Sequence, residues 1–154
     1  IRLSLVGSEM CIRDSFEFLG EYDGFMLADD YAHHPTEIKA TLSAAKELDY
    51  NNVIAVFQPF TFSRTALLKD DFIKALSIAD KVILTPIMGS REKNTYGIKS
   101  EDLAAGLHDV CVVDGFENIA DKIEEIARPG DLVITMGGGD IYKAAHIIQG
   151  RHAE

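Results

Sequence analysis

Short apolar runs recur along this chain, and each is followed by a segment with helical periodicity. The run Val53–Phe57 contains no polar residue, which is typical of a parallel strand covered on both faces. Because strands and helices alternate in this way, the sequence predicts a three-layer, Rossmann-like α/β sandwich with a mostly parallel sheet. Strands are predicted at 25–29, 53–58, 81–85, 110–113 and 132–135, and helices at 36–48, 66–76, 100–107, 119–127 and 140–149.

The composition indicates one globular domain. Of the 154 residues, 47% are hydrophobic and 26% are charged, which is enough for an ordinary core. The net charge of −10 argues against nonspecific binding to nucleic acids or anionic membranes, because both require basic surface. No apolar stretch approaches the ~20 residues that span a bilayer, and no complete signal peptide is recognisable, so a cytoplasmic protein is expected. Cys11 and Cys111 are interpreted as buried free thiols.

The first fifteen residues stand apart from this pattern. Residues 1–15 show neither strand alternation nor a capped helix, and we interpret them as an extraneous or artefactual segment. Residues 16–154 are therefore taken as the domain, and the fold prediction rests on that range alone.

The densest polar cluster lies between the first predicted strand and its helix. Residues 29–35 read Asp-Asp-Tyr-Ala-His-His-Pro, and Pro35 suits the first turn of a helix. In open α/β sheets such turns lie at the carboxyl ends of strands, where ligands bind and helix N-termini attract anions. His33 and His34 can be interpreted as a metal pair, as acid or base groups, or as hydrogen-bond donors. Since adjacent histidines point apart, a shared metal is disfavoured, and we expect His34 to face the cleft.

Three further polar features fall at predicted strand ends, and such ends converge on one edge of the sheet. Arg64 follows the second strand and suits a carboxylate or phosphate, although a surface ion pair is an equal alternative. Residues 89–95 carry two cations and fit a solvated loop. Residues 136–140, Met-Gly-Gly-Gly-Asp, admit close approach of a ligand to the backbone, or else form a tight turn capped by Asp140. The glycines match neither the Walker loop nor the complete dinucleotide fingerprint.

Three long motifs occur in the same order as in one known family. They read Asp-Asp-Tyr-Ala-His-His-Pro-Thr-Glu at 29–37, Phe-Gln-Pro at 57–59 with Phe-Ser-Arg-Thr at 62–65, and Met-Gly-Gly-Gly-Asp-Ile-Tyr-Lys at 136–143. Together they resemble the C-terminal domain of the Mur ligases, and within that family the UDP-N-acetylmuramate:L-alanine ligases. The resemblance extends over residues 16–154.

The resemblance implies an ATP-dependent ligase of peptidoglycan synthesis. Such an enzyme joins L-alanine to the lactyl carboxylate of UDP-N-acetylmuramate through an acyl phosphate. The resemblance further implies that a central domain carries the phosphate-binding loop and the Mg²⁺ ligands, and that an N-terminal domain holds the UDP-sugar. Both domains are expected to be missing from this chain, so the chain alone is expected to be inactive.

The resemblance also assigns residues to roles. It places Asp30 and Tyr31 at ATP, with Asp30 toward the ribose. His34 and Arg64 are expected to be catalytic and to contact the amino acid or the acyl group, and Gly138 is expected to contact substrate. Phe60 departs from the family, because His commonly follows Gln-Pro there. No metal ligand is expected in this domain.

Two other functions are kept as alternatives. One is the related ligase that reattaches a recycled tripeptide to the same UDP-sugar; residues 57–65 favour the alanine enzyme over it. The other is a noncatalytic module that binds a nucleotide or a peptide.

Overall fold

The structure, a computed structural model, describes residues 16–88, 93, 95–137 and 139–152. Within them the chain forms a single six-stranded sheet with helices on both faces. The predictions made above for residues 1–15, for the cations of the 89–95 loop other than Lys93, and for Gly138 lie outside the described residues. The strands are β1 (Phe16–Tyr22), β2 (Phe25–Asp30), β3 (Val53–Phe57), β4 (Lys81–Leu84), β5 (Val110–Val112) and β6 (Leu132–Met136). The helices are α1 (Pro35–Lys46), α2 (Phe62–Leu67), α3 (Lys69–Leu76), α4 (Ser100–Ala104), α5 (Phe116–Ile126) and α6 (Tyr142–Arg151).

The strand order is β1-β2-β6-β3-β4-β5, and every neighbouring pair except β1 and β2 is parallel. The predicted Rossmann-like α/β sandwich is therefore confirmed. The central strands β3 and β6 are buried along their whole length, which accounts for their unbroken apolar sequences. The last strand in sequence, β6, lies between β2 and β3.

The sheet separates two apolar layers. On one face, the ring of Phe57 lies 5.4 Å from that of Phe72 of α3, and Ile38 and Leu42 of α1 complete the same layer. On the other face, Ile119 and Ile123 of α5 pack with further apolar residues of α6 and the sheet. Helices α1 and α3 thus cover one face, while α5 and α6 cover the other.

Strand β1 is missing from the sequence prediction. It runs antiparallel to β2 at the edge of the sheet, and its register shifts between Phe18 and Gly20. Its alternation is interrupted at this bulge, where Gly20 has φ 142°. An edge strand that is partly solvated and broken by a bulge lacks the continuous apolar pattern of a buried strand.

The helix predicted at 66–76 is wrong in its bounds, because two helices occupy this segment. Helix α2 already begins at Phe62. The helical geometry is interrupted at Leu68, which has φ −110° and ψ 21°, and α3 begins at Lys69. Thr61 caps α2 from a left-handed backbone with φ 67°. A β-branched residue rarely adopts this conformation, so local propensity gives no sign of this helix start.

Two smaller features follow from the structure. None of the helices in the described ranges is long and apolar enough to cross a membrane. Cys111 is a free thiol as predicted, but it is only partly buried rather than fully buried. Burial nevertheless raises the pKa of its thiol above the ordinary value of 9.0, which disfavours the reactive thiolate.

Candidate functional site

The carboxyl ends of three strands meet in one row at the edge of the sheet. Met136 of β6 pairs with Asp30 of β2 on one side and with Phe57 of β3 on the other. The helix that follows β6 packs on the face opposite α1 and α3. The helices that follow neighbouring strands therefore lie on opposite faces around β6, and a crevice at such a switch point is the usual ligand site of an open α/β sheet.

Asp30 lies at the end of β2 with its side chain turned inward, at 1% exposure. Its Oδ1 accepts a hydrogen bond from the backbone N–H of Ala32 at 2.9 Å. Its Oδ2 accepts from the hydroxyl of Thr41 in α1 at 2.6 Å. The carboxylate thus fixes the turn after β2 to the helix that follows it.

The two histidines of this turn have different partners. The Nδ1 of His34 accepts the backbone N–H of Thr36 at 3.3 Å and caps α1. Glu37 completes a capping box by accepting the backbone N–H of His34 at 3.3 Å. The Nδ1 of His33 faces the carbonyl oxygen of Tyr31 at 3.0 Å.

These partners fix the tautomers of the neutral rings. A carbonyl oxygen only accepts, so the Nδ1 of His33 carries the hydrogen. The Nδ1 of His34 accepts, so in the neutral ring its Nε2 carries the hydrogen. His34 is exposed while His33 is half-buried. His34 therefore offers an N–H donor to solvent at the N-terminus of α1, where an anion is favoured.

Tyr31 is the exposed aromatic residue of the turn, at 61% exposure. Its ring meets that of His33 edge to face, with centroids 5.4 Å apart. The aromatic contact orients one edge of the phenol ring and leaves a large part of it open. An exposed aromatic face beside a strand end suits stacking with a planar ligand group.

Arg64 lies in α2, one helical turn after Thr61. The hydroxyl of Thr61 accepts the backbone N–H of Arg64 at 3.3 Å, and its carbonyl accepts the hydroxyl of Thr65 at 2.8 Å. The backbone N–H of Thr61 donates in turn to the carbonyl of Met88 at 2.7 Å. The helix start that carries Arg64 is thus bound to the segment after β4. No ion pair of the half-buried Arg64 side chain occurs among the described residues.

The glycine turn after β6 is held by Gln58. Gln58 is 5% exposed; its Nε2 donates to Oδ1 of Asp140 at 3.2 Å, and its Oε1 accepts the backbone N–H of Ile141 at 3.2 Å. The alternative in which Asp140 caps the next helix is wrong, because the N-cap of α6 is Ile141 and no side chain caps it. Asp140 binds the buried amide instead and lies 3.7 Å from Lys143.

Asp29 faces the opposite side of the sheet from Asp30. Its Oδ1 accepts the hydroxyl of Thr135 at 2.6 Å. Burial raises the pKa of the Asp29 carboxyl above its ordinary value of 3.8, and the neighbouring Asp30 adds to this, while the Thr135 hydroxyl and His146 oppose it. No group of three or more potential metal-ligating side chains occurs in the part of the chain that the structure describes.

Sequence reasoning misses the partners that hold these groups. It includes Gln58 only as part of a motif, and it gives no role to Thr41 or Thr135. A buried glutamine at the end of an apolar strand is a usable signal, because a buried amide requires partners. Its partners at 140 and 141 are set by the strand order.

Comparisons with known proteins agree with this architecture. The sequence model of the family described as "Mur ligase, glutamate ligase domain" matches residues 16–139. The UDP-N-acetylmuramate–L-alanine ligase of Caldicellulosiruptor saccharolyticus is 49% identical over 136 residues, which cover 86% of this chain and 30% of that protein. The enzyme of the same name from Lachnospira eligens is 50% identical over 132 residues, covering 83% of this chain and 29% of that protein. The chain therefore spans about 30% of the length of these relatives.

Solved structures show the same fold at lower identity. A domain from a Haemophilus ducreyi protein described as a UDP-N-acetylmuramate:L-alanyl-γ-D-glutamyl-meso-diaminopimelate ligase superposes with a TM-score of 0.69 at 22% identity, covering 89% of this chain and 98% of that one. The UDP-N-acetylmuramate–alanine ligase of Thermotoga maritima superposes with a TM-score of 0.67 at 24% identity, covering 88% of this chain and 29% of that one. The family match over most of the chain and the shared sheet lead to one conclusion: the chain belongs to the Mur ligase family and contains the C-terminal domain of that family.

Proposed function

We propose that the chain acts as the C-terminal domain of a cytoplasmic UDP-N-acetylmuramate:L-alanine ligase in peptidoglycan synthesis. The observation that carries the proposal is the 49% identity to a ligase of that name over 86% of the chain. The row of strand ends around β6 supports it, since Asp30 lies in this row and the segments that carry His34 and Arg64 follow its strands β2 and β3. In this proposal ATP, UDP-N-acetylmuramate and L-alanine are the substrates, and Mg²⁺ is bound by the central domain.

The described side chains fit an ATP-dependent acyl transfer. Tyr31 offers an exposed ring, and a nucleotide base can stack on such a face. When bound, ATP supplies the phosphoryl group that activates the carboxylate. Asp30 is proposed to lie toward the ribose; its carboxylate accepts two internal hydrogen bonds in this structure, so its first effect is to hold Tyr31 in place.

His34 and Arg64 are proposed to act at the reacting acyl group and the amino acid. His34 offers an Nε2–H donor in its neutral form, because its Nδ1 is already an acceptor. The guanidinium of Arg64 can bind a carboxylate through two parallel hydrogen bonds. A donor and a cation near an acyl phosphate stabilise the charge that develops on oxygen in the transition state. Gly138 is proposed to contact the substrate through its backbone.

The decisive experiment restores the other domains. The natural full-length gene is expressed, or residues 16–154 replace the matching third of the Caldicellulosiruptor saccharolyticus ligase. Phosphate release is measured with ATP, Mg²⁺, UDP-N-acetylmuramate and L-alanine. Alanine-dependent release is the expected result. Phosphate release with tripeptide in place of alanine would instead indicate the recycling ligase. If a folded protein releases no phosphate with either alanine or tripeptide, a noncatalytic binding module would be favoured.

A pair of variants links the activity to this domain. In the completed enzyme, Arg64→Ala is expected to lower kcat/KM for L-alanine by about 10²-fold or more, because a charged, bidentate contact is lost. Arg128→Ala serves as the matched control, since the guanidinium of Arg128 bonds only backbone carbonyls of its own turn among the described residues. An unchanged rate in Arg64→Ala would remove Arg64 from the mechanism.

The chain by itself is expected to show no ligase activity. The residues proposed to bind the UDP-sugar and Mg²⁺ belong to the other domains, so phosphate should not be released when alanine is added to the 154-residue chain. Alanine-dependent release by this chain would contradict the proposed division of the site between domains.

A further inference from the structure

Gln58 holds two successive residues of the glycine turn with a single side chain. Its amide nitrogen donates to the Asp140 carboxylate, and its amide oxygen accepts the backbone N–H of Ile141, each at 3.2 Å. The side chain is 5% exposed. A buried amide with both ends bonded is held in one orientation, because any rotation would leave a buried polar group without a partner.

The turn is shaped around this amide. A Cβ at Gly139 would lie 2.6 Å from Oε1 of Gln58. A Cβ at Gly137 would lie 3.1 Å from the backbone oxygen of Gln58, and Gly137 also has φ 153°. A side chain at position 139 would therefore have to displace the Gln58 amide from its partners, and one at position 137 would be strained by the backbone conformation and tight against Gln58. The two observations show that Gln58 and the turn are fitted to each other.

We propose that Gln58 is a positioning residue, which fixes the backbone of Gly137 and of residues 139–141 in the conformation that receives a substrate. The part of this proposal that concerns the substrate rests on the proposed function. Its structural part does not, because it concerns only how the buried amide sets the turn. Gln58 itself touches no substrate in this proposal and acts through Asp140 and Ile141.

The substitution Gln58→Glu tests the hydrogen bond between Gln58 and Asp140, because glutamine and glutamate have almost the same shape. A carboxylate at this position would face the Asp140 carboxylate at hydrogen-bond distance. The two share a proton at low pH, and they repel each other when both are ionised. Lys143, 3.7 Å from Asp140, is the other charged group at the pair among the described residues. In the variant, the contact between residues 58 and 140 should therefore keep the turn in place at low pH, and this contact should be lost as the pH rises.

A second substitution should restore the contact. In Gln58→Glu/Asp140→Asn the donor and the acceptor exchange places, so that the amide at 140 donates to the carboxylate at 58, which still accepts the Ile141 N–H. The matched control is Gln149→Glu, the same chemical change in an amide that bonds the Leu19 carbonyl at 3.4 Å. If Gln58→Glu does not fold, the substitution Asp140→Leu removes the same hydrogen bond by changing its more exposed partner.

The first readout is the pH titration of backbone amide shifts in the 154-residue chain. Amides of Gly137, Gly139 and Ile141 are expected to titrate in Gln58→Glu. In the double variant the titration should be confined to Ile141, whose N–H the carboxylate at 58 still accepts. The three amides should not respond to Gln149→Glu. Shifts in Gln58→Glu that match those of the wild type at every pH would overturn the proposal that Gln58 fixes the turn.

The second readout is kinetic and uses the completed enzyme. Gln58→Glu should raise the KM for one of the three substrates by about tenfold as the pH rises, with the KM values for the other two nearly unchanged and with recovery in the double variant. A loss confined to kcat, or equal for all three substrates, would overturn the positioning role. Absence of turnover in the wild-type enzyme would overturn the proposed function and the substrate part of this proposal, while the titration still decides the structural part.

Discussion

Asp29 and Asp30 are neighbours in the chain, yet their carboxylates bind partners on opposite faces of the sheet. Asp30 accepts the hydroxyl of Thr41 in α1, and Asp29 accepts the hydroxyl of Thr135 in β6. Successive residues of a strand point to opposite faces, so this pair divides the polar end of β2 between two layers. Asp30 organises the turn that carries Tyr31 and His34, whereas Asp29 faces α6.

Thr41→Val tests the bond that organises this turn. The change keeps the shape of the side chain but leaves Oδ2 of the buried Asp30 without its donor. The free energy of unfolding is expected to fall by about 1–3 kcal/mol. Chemical denaturation of the chain measures it, with the exposed Thr36→Val of the same helix as the control. Equal effects of the two substitutions would show that the Asp30 bond adds nothing to stability.

His34 caps α1 and is also proposed to act at the reacting acyl group. Two substitutions separate these two roles. His34→Ala loses the cap and should lower the free energy of unfolding by about 1 kcal/mol, whereas His34→Asn keeps a good N-cap and should remain close to the wild type. In the completed enzyme both should lose ligase turnover, because both lack the ring donor. Full turnover in His34→Asn would limit His34 to capping.

Asp80 is expected to make stability depend on acid pH. Burial alone would raise the pKa of its carboxyl, but hydrogen bonds from Lys46 and from the backbone N–H of Val53 outweigh it and hold the pKa below the ordinary value of 3.8. Lys46 Nζ lies 2.9 Å from both carboxylate oxygens. A carboxylate whose folded-state pKa is lowered stabilises the fold above its unfolded-state pKa, and this contribution is lost as the pH falls through the folded-state value.

Asp80→Asn should therefore destabilise the chain at pH near 7. The effect should begin to shrink below a pH of about 4 and disappear only below the lowered folded-state pKa. Denaturation of wild type and variant near pH 7 and at a pH well below the folded-state pKa checks the difference. The exposed Asp49→Asn is the control. A destabilisation by Asp80→Asn that is the same at both pH values would assign the loss to packing rather than to ionisation.

Gly139→Ala tests how tightly the glycine turn fits Gln58. The new Cβ would meet Oε1 of Gln58 at 2.6 Å, and displacing that amide breaks its bonds to Asp140 and Ile141. A loss of about 1–3 kcal/mol in the free energy of unfolding is expected. Gly150→Ala is the contrasting control: it lies in α6 with nothing within 4 Å, so it should stabilise by about 0.5–1 kcal/mol. A stabilising Gly139→Ala would contradict the fit.

Local sequence patterns are sufficient to predict most strands of the sheet. The apolar runs place the five strands that follow β1, and Pro35 correctly marks the start of α1. The patterns fail where the chain depends on distant contacts. The bulged β1 is stabilised by pairing with β2, and α2 begins at a left-handed Thr61 that is bound to Met88. Neither contact leaves a periodic signal in the sequence.

Local sequence is enough to tell which polar residues lie at strand ends, because the length of each apolar run fixes where its strand stops. The apolar runs alone therefore predict that Asp30, His34 and Arg64 belong to one edge of the sheet. What these groups bind depends on tertiary contacts. The insertion of β6 between β2 and β3 places Gln58 against Asp140, 82 residues away, and the packing of α1 on the sheet brings Thr41 to Asp30. Strand order and helix packing set such distances, and no local pattern encodes them.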